Sequence, residues 1–216
     1  SHIGYLKTKE NILKAKLEIL DGMKEKILFV NGDDELLKKI ENIHTSGFNK
    51  NNNLTGYDIK SNLYTSTFKI KYKSKEYKIK TNLPRHLLNN VLITIHIALY
   101  LNIDIKEIQK ALEKYKSVNM RMDIIKTKNN NTIINDCYNS SFESLTGVLK
   151  TLENESQDKI LILGDIKELG DLSKEIHQNL TPYIEKIKNK EVYLVGKEIK
   201  NIKTNAKYFK DYEELL

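Results

Sequence analysis

The segment Lys159-Ile160-Leu161-Ile162-Leu163-Gly164-Asp165-Ile166-Lys167-Glu168-Leu169-Gly170 indicates the fold class of the second half of the chain. It begins with a short apolar run, which is typical of a buried strand, and Gly164-Asp165 marks the carboxyl end of that strand. Two glycines bracket two acids, so the backbone can approach a ligand while the carboxylates face an amine. A tight turn before a capped helix would look similar.

Strand and helix patterns alternate on both sides of this segment. We predict strands at 122–125, 132–135 and 192–195 and helices at 141–152 and 173–187. This alternation predicts a mainly parallel α/β sheet, in which ligands gather at the carboxyl ends of the strands. Gly164-Asp165 and Asn135-Asp136 would lie at such ends. Cys137 follows there, and we expect a small buried thiol rather than a nucleophile, because no base is arranged beside it.

The pattern of helices and strands in the first half of the chain predicts a second α/β unit. Thr8 can cap a helix that ends near Gly22, a strand follows at 27–30, and residues 35–43 have a helical pattern. Lysines alternate with apolar residues over 68–80, which predicts a hairpin that turns near 74–76. An apolar helix follows at 87–101, and Asp104 caps another that runs to about Tyr115. We therefore expect two domains, residues 1–117 and 118–216.

Composition limits the function. The formal net charge is +7, but the hairpin lysines lack the arginines and stacking aromatics of an RNA-binding ribbon, so we expect them on a solvated face or edge. No run of apolar residues is long enough to span a membrane, and the N-terminus is not of the secretory type. One cysteine excludes an internal disulfide framework and fits a reducing cytosol. We expect a cytoplasmic protein without nucleic-acid partners or membrane insertion.

Several polar segments are candidate sites. The chain has only two arginines, Arg85 and Arg121, whose planar guanidinium groups suit bidentate phosphate recognition. Arg85 opens an apolar helix, although an ordinary polar helix terminus would carry the same residues. Asp136 begins a polar strand-to-helix junction that could orient a ribose, a phosphate or a peptide, or could simply be a loop before the helix cap Ser141. Lys16 reads as an ordinary solvated lysine.

Taken in order, these segments resemble the Mur ligase family, most closely its branch that adds D-alanyl-D-alanine to UDP-N-acetylmuramoyl-tripeptide. The matching motifs are His2-Ile3-Gly4-Tyr5-Leu6, the run from Asn11 to Ile19, Asn31 to Asp34, Arg85-His86 with Asn90, Arg121, Asp136-x-Tyr138-Asn139 and Gly164-Asp165-x-x-Glu168-Leu169-Gly170. The order of the motifs over nearly the whole chain is more specific than any one of them.

The resemblance implies an α/β fold made of the C-terminal part of a central ATP-binding domain and a Rossmann-like C-terminal domain, both incomplete. It implies ATP and Mg²⁺ as cofactors and UDP-MurNAc-tripeptide and D-Ala-D-Ala as partners of a monomeric enzyme. Lys16 matches a carbamylated, metal-ligating lysine, His2 a residue beside magnesium, and Arg121 a catalytic cation at the γ-phosphate. The implied nucleotide contacts are Asn31, Asp33, Arg85, His86, Asn90, Arg121 and Asp136, and the implied dipeptide-side residues are Tyr138, Asn139, Asp165 and Glu168.

The chain departs from the family pattern in places. Pro84, Leu87 and Met120 replace family residues beside the two arginines, and Ser141-Phe142 replaces an Asn-Pro pair. No Gly-x4-Gly-Lys-Ser/Thr phosphate loop occurs, so we expect a fragment that is inactive alone. Two alternatives stay open, another amide ligase of the superfamily and a non-catalytic nucleotide- or partner-binding module.

Overall fold

The computed structural model describes residues 3–216, with side-chain burial from residue 4 onward. Residues 9–116 form one compact unit, and residues 117–216 form another together with the N-terminal residues up to Thr8. The α-helices are α1 (Ile3–Leu6), α2 (Lys9–Leu17), α3 (Leu88–Tyr100), α4 (Ile105–Lys114), α5 (Phe142–Leu152), α6 (Ser173–Gln178), α7 (Thr181–Glu185) and α8 (Tyr212–Leu215). The strands are β1 (Phe29–Asn31), β2 (His44–Gly47), β3 (Leu54–Ser61), β4 (Ser66–Tyr72), β5 (Lys75–Thr81), β6 (Asp123–Lys126), β7 (Thr132–Asn135), β8 (Lys159–Gly164), β9 (Lys190–Val195) and β10 (Lys207–Phe209).

The unit of residues 9–116 is built on a five-stranded sheet in the order β1-β2-β3-β4-β5. β1, β2 and β3 are parallel, and β3, β4 and β5 are antiparallel. The predicted hairpin is therefore confirmed, and its lysines point to solvent while Phe68, Ile70 and Ile79 are buried. Helix α3 packs over the parallel strands and α4 packs along β5. As expected, the Asp104 side chain caps α4 by accepting a hydrogen bond from the Lys106 amide.

The prediction of a helix over 35–43 is wrong. The structure has only a short 3-10 turn at Leu37–Lys39. The Asp34 carboxylate accepts hydrogen bonds from the Leu36 and Leu37 amides and starts that turn. Ile40 is already extended, because the chain must return to run parallel to β1 as β2. Strands β2 and β3 carry no clear pattern in the sequence and were not predicted.

The other unit contains a three-stranded parallel sheet in the order β10-β9-β8 and a separate antiparallel pair, β6-β7. Its core packs the inner face of the parallel sheet against α5, α6 and α7. Because β7 belongs to the antiparallel pair, Asn135-Asp136 does not follow a parallel strand, which corrects the sequence prediction. Cys137 is exposed rather than buried.

The predicted helix over 173–187 is divided into α6 and α7. Pro182 lies in the first turn of α7, where its missing N–H costs no helical hydrogen bond. A continuous helix would need that N–H to bond to the Gln178 carbonyl, and the proline ring would clash there. No helix within residues 3–216 is long and apolar enough to cross a membrane.

A buried polar pair ties α3 to β2. Ser46 Oγ and His96 Nδ1 are 2.8 Å apart, and both side chains are almost completely buried. His96 Nε2 has no hydrogen-bond partner within the described part of the chain. Burial, reinforced by neighbouring His44, lowers the pKa of His96 to about 4. The imidazole is therefore neutral at neutral pH.

This pair predicts a pH-dependent stability. Below about pH 6.5 the unfolded chain protonates His96 and the folded chain does not, so stability falls until the folded pKa near 4 is reached. The expected slope from this group is about 1 kcal/mol per pH unit in that window. In His96→Gln the free energy of unfolding, measured by urea denaturation, should depend less on pH between about pH 6.5 and pH 4. The same pH dependence in His96→Gln as in the native chain would contradict a neutral, buried His96.

Candidate functional site

Asp33 organises the carboxyl ends of β1 and β2. Its carboxylate accepts hydrogen bonds from the Phe48 amide at 2.6 Å, the Asn49 amide at 3.0 Å and Asn52 Nδ2 at 2.9 Å. The loop that follows β1 is thereby fixed to the loop that follows β2. The Asn31 side chain supports the same turn by accepting a hydrogen bond from the Asp33 amide at 3.1 Å.

The close approach of these loops requires glycine. A Cβ atom on Gly47 would lie 2.5 Å from Asp33 Cγ and 2.6 Å from Asn52 Nδ2. A Cβ on Gly32 would overlap the Asn52 side chain and lie 2.7 Å from Thr45 Cβ. These distances are far below van der Waals contact. A larger residue at Gly47 would displace the Asp33 carboxylate from the amides that it holds, and a larger residue at Gly32 would displace Asn52 or Thr45.

Arg85 joins this cluster through an aromatic contact. Its guanidinium carbon lies 3.8 Å from the centre of the Phe48 ring, in cation–π geometry. Burial lowers the pKa of Arg85, and the charge of Asp33 partly opposes that shift. The structure thus brings together Asn31, Asp33 and Arg85, which the sequence predicted as nucleotide contacts. It adds Phe48 and Asn52, which are not among the residues predicted from the sequence.

His86 and Asn90 follow Arg85 at the start of α3. His86 lies in the 3-10 turn Arg85–Leu87, and Asn90 is exposed in the first turn of the helix. Asn89 lies between them, and its Oδ1 is buried without a hydrogen-bond partner in the described part of the chain. Buried acceptors without a partner are rare in folded proteins. The sequence reading did not single out Asn89.

Of the two predicted metal residues, only Lys16 is among the residues that the structure describes. Lys16 is exposed near the end of α2, and His2 lies outside the described residues. Within residues 3–216, no group of three or more His, Cys, Asp or Glu side chains is arranged to hold a metal ion. An unmodified lysine is a cation, so these residues do not by themselves fit Mg²⁺.

Arg121 and Tyr138 come together in the other unit. The Arg121 guanidinium carbon lies 4.2 Å from the centre of the Tyr138 ring. Two hydrogen bonds support this contact. The Tyr138 amide donates to the Met120 carbonyl at 3.1 Å, and the Met122 amide donates to the Asp136 side chain, at Oδ1, at 2.9 Å. Met120 and Met122 both have positive φ angles, 62° and 50°, so the backbone around Arg121 is strained.

Tyr138 and the arginine both reach solvent. The Tyr138 residue is 62% exposed, and Asn139 beside it is also exposed. An exposed guanidinium stacked on an aromatic ring keeps its outer N–H groups free to meet an anion. The contact joins a residue predicted for the γ-phosphate to one predicted for the dipeptide side.

Asp165 organises the carboxyl ends of β8 and β9 in the same way that Asp33 organises β1 and β2. Its carboxylate accepts hydrogen bonds from the amides of Ile199 at 2.8 Å, Glu198 at 3.0 Å and Lys197 at 3.2 Å, and from Lys167 Nζ at 3.2 Å. Burial alone would raise the pKa of Asp165, but these hydrogen bonds outweigh it and hold the pKa below its usual value.

Glu168 lies in a strained turn beside the N-terminal helix. Glu168 and Gly170 have φ angles of 62° and 55°, and the Gly4 amide donates to the Glu168 carbonyl at 2.9 Å. A Cβ on Gly4 would lie 2.8 Å from both the Glu168 carbonyl oxygen and the Gly170 nitrogen. Gly4 and Gly170 therefore allow the N-terminal helix and the turn at 168–170 to come into backbone contact. Glu168 is exposed at that turn.

Two family models match nearly the whole chain. The Mur ligase middle domain matches residues 1–98, and the Mur ligase glutamate ligase domain matches residues 120–216. This chain belongs to the Mur ligase family. Its similarity to other Mur ligases extends over both units.

Curated relatives and solved structures agree with this assignment. The chain is 32% identical to the UDP-N-acetylmuramoyl-tripeptide--D-alanyl-D-alanine ligase of Bacillus subtilis, over 91% of this chain and 44% of the relative. It is 30% identical to the ligase of the same name from Buchnera aphidicola subsp. Baizongia pistaciae, over 100% of this chain and 49% of the relative. The chain thus spans about half the length of the curated Mur ligases that it matches.

The fold is that of solved MurF structures. The chain superposes on MurF from Acinetobacter baumannii with a TM-score of 0.85 at 21% identity, covering 97% of this chain and 48% of that one. It superposes on the MurF ligase from Thermotoga maritima in complex with ADP with a TM-score of 0.84 at 22% identity, covering 97% of this chain and 50% of that one. Both predicted parts of the fold, the middle-domain part and the C-terminal part, are confirmed.

The Asp165 contacts predict a specific loss of stability. Asp165→Asn keeps the shape but loses the charge that the three amides and Lys167 require, so it should destabilise the fold by about 1–3 kcal/mol near pH 7. Because the folded pKa is depressed, this stabilisation is present above about pH 4 and is lost as the pH falls through the folded pKa.

Urea denaturation at several pH values tests this prediction. The difference between the native chain and Asp165→Asn should shrink below about pH 4. Asp158→Asn at an exposed position is the matched control and should change little at any pH. A constant difference between the native chain and Asp165→Asn across that range would contradict the account.

Proposed function

We propose that this chain is part of an ATP-dependent ligase that adds D-alanyl-D-alanine to UDP-N-acetylmuramoyl-tripeptide during peptidoglycan precursor synthesis. The observation that carries the proposal is similarity over the full chain to relatives with that activity in their names. In this proposal residues 1–117 belong to the central ATP-binding domain and residues 118–216 to a truncated, Rossmann-like C-terminal ligase domain. The isolated chain would be inactive, because it contains no phosphate-binding loop motif.

The reaction has two chemical steps. ATP first phosphorylates the terminal carboxylate of the tripeptide, and the amine of D-alanyl-D-alanine then attacks the acyl phosphate. The tetrahedral intermediate collapses to an amide and releases phosphate. Such a site must neutralise phosphate charge and orient both reactants. The polar clusters of the two units supply groups of both kinds.

The Asp33 cluster would serve the nucleotide. Arg85 places a guanidinium against the Phe48 ring. A cation on a rigid frame suits a nucleotide phosphate, and Asp33 would act by holding that frame. The further nucleotide contacts in the proposal are Asn31, His86, Asn90 and Asp136.

Arg121 would meet the γ-phosphate. Its guanidinium is held against the Tyr138 ring between two residues with positive φ, so less side-chain freedom is lost when a phosphate binds. Tyr138, Asn139 and Glu168 are all exposed and would face the dipeptide. Asp165 would act on that side through the loop that it holds.

The intact ligase would work in the cytoplasm as a monomer, without nucleic-acid or membrane partners. We include Mg²⁺ as its cofactor, with Lys16 carbamylated and His2 nearby, and assign no reaction step to the metal. Carbamylation would turn the exposed Lys16 amine into an anionic oxygen ligand of the kind that Mg²⁺ prefers.

A sister Mur ligase is the second candidate. Part of the chain, 59% of its length, is 29% identical to the UDP-N-acetylmuramoylalanine--D-glutamate ligase of Francisella tularensis (strain FSC 198). The two candidates differ in the amine that they use. A non-catalytic nucleotide- or partner-binding module is the third, and it would release no phosphate with any amine.

Phosphate release by the parent protein distinguishes these candidates. With ATP and UDP-MurNAc-tripeptide, addition of D-Ala-D-Ala should start phosphate release and form the pentapeptide product. D-glutamate with UDP-MurNAc-alanine is the matched control and should give none. Activity with D-glutamate alone would favour the sister ligase, and no activity with either amine would favour the non-catalytic module.

Arg121 provides a residue-level test of the ligase proposal. In the parent protein, Arg121→Ala should lower kcat about 10²–10³-fold, as expected when a cation that stabilises transition-state charge is removed. Arg121→Lys should recover part of that loss, because it restores charge without the planar fork. Steady-state phosphate release measures both variants, and retention of the full rate by Arg121→Ala would refute the role.

A further inference from the structure

His177 is a completely buried histidine on helix α6, next to the loop that follows β8. Its Nε2 atom lies 3.1 Å from the Ile166 backbone nitrogen, and its Nδ1 atom lies 2.7 Å from the Ser173 carbonyl oxygen. The Ile166 N–H can only donate, so Nε2 accepts that hydrogen bond and carries no proton. Nδ1 therefore carries the proton and donates it to the Ser173 carbonyl, which fixes one neutral tautomer of the imidazole.

These contacts belong to a closed circuit of hydrogen bonds. Ser173 Oγ donates to Glu198 Oε2 at 2.8 Å, and the Glu198 amide donates to Asp165 Oδ1 at 3.0 Å. Asp165 is followed in the chain by Ile166, whose amide returns to His177. The circuit joins the loop after β8, helix α6 and the loop after β9. The position of the loop after β8 is therefore set from two sides, through Asp165 and through His177.

The loop after β8 needs this support because part of it is strained. Glu168 has a φ angle of 62°, a conformation that costs free energy in a residue with a side chain and persists only where its surroundings hold it. Ile166 and Leu169 are buried in the core, but apolar contacts are not directional. The hydrogen bond from the Ile166 amide to His177 is directional, so it fixes the path of the backbone two residues before Glu168.

We propose that His177 is a positioning residue for the D-alanyl-D-alanine substrate. It would not touch the substrate, and would act by holding the Ile166 amide and thereby the place of Glu168. This inference rests on the proposed function, in which Glu168 faces the dipeptide. Small displacements of a substrate-binding group are costly, so binding of the dipeptide would depend on a histidine that lies in the core.

Amide hydrogen exchange tests whether His177 holds the loop. His177→Phe keeps a buried ring but cannot accept a hydrogen bond, so in the full chain the Ile166 amide should exchange at least about tenfold faster, relative to the amides of β9. His177→Gln retains an acceptor oxygen and should keep much of the native protection. Unchanged protection of the Ile166 amide in His177→Phe would overturn the proposal, and this measurement does not depend on ligase activity.

Steady-state kinetics of the parent protein test the link to the substrate. His177→Phe should raise the KM for D-Ala-D-Ala about tenfold while kcat and the KM for ATP change less than about twofold, because the loop would contribute to binding of the dipeptide and not to chemistry. His177→Gln should recover much of the native KM. His96→Phe also removes the hydrogen bond of a buried histidine, and this matched control should leave the KM for D-Ala-D-Ala unchanged.

The outcomes separate this inference from the proposed function. If the native parent protein releases phosphate with D-Ala-D-Ala, but His177→Phe keeps the native KM or raises the KM for ATP equally, only the positioning role is wrong. If the native parent protein is inactive with D-Ala-D-Ala, the proposed function fails and the positioning role fails with it.

Ser173→Ala provides the test if His177→Phe does not fold. This variant removes only the hydroxyl that donates to Glu198 and leaves the His177 ring in place. It opens the hydrogen-bond circuit at a less buried point, so the KM for D-Ala-D-Ala should rise about two- to threefold. An unchanged KM in Ser173→Ala would then overturn the proposal.

Discussion

A partly buried carboxylate at the carboxyl end of a parallel strand organises each of the two units. Asp33 holds the loop after β2, and Asp165 holds the loop after β9, each through several hydrogen bonds from that loop. An uncompensated buried carboxylate would be strongly destabilising, so the carboxylates and the loop amides depend on one another. Every candidate contact on these loops depends on those hydrogen bonds, including the Arg85 contact with Phe48.

The sequence predicted those elements whose physical cause is local. Alternation of lysines with apolar residues predicted the β4-β5 hairpin, and Asp104 predicted the start of α4. Sequence-based prediction is wrong where a contact between residues far apart in the chain overrides a local pattern. Residues 35–43 have helical periodicity, yet the return to a strand parallel to β1 allows only one short turn. Pro182 interrupts the predicted helix over 173–187, because proline is accepted in the first turn of α7 but not inside a continuous helix.

The candidate site shows the same limit. The motifs named Asp33 and Asp165, but a sequence cannot show that each carboxylate faces backbone amides rather than a substrate. The loop partners of Asp33 lie 15 to 19 residues away, and those of Asp165 on the second loop lie 32 to 34 residues away. Only the fold brings them together. The stacking of Arg121 on Tyr138 is a similar case, because no spacing rule predicts it.

Amide hydrogen exchange measures most directly whether the two carboxylates hold their loops. Asp33→Ala should reduce the protection of the Phe48 and Asn49 amides, and Asp165→Ala should reduce that of the Glu198 and Ile199 amides. Asp158→Ala, at an exposed position, is the control and should change neither pair. Unchanged protection of these amides in folded Asp33→Ala and Asp165→Ala would contradict the account.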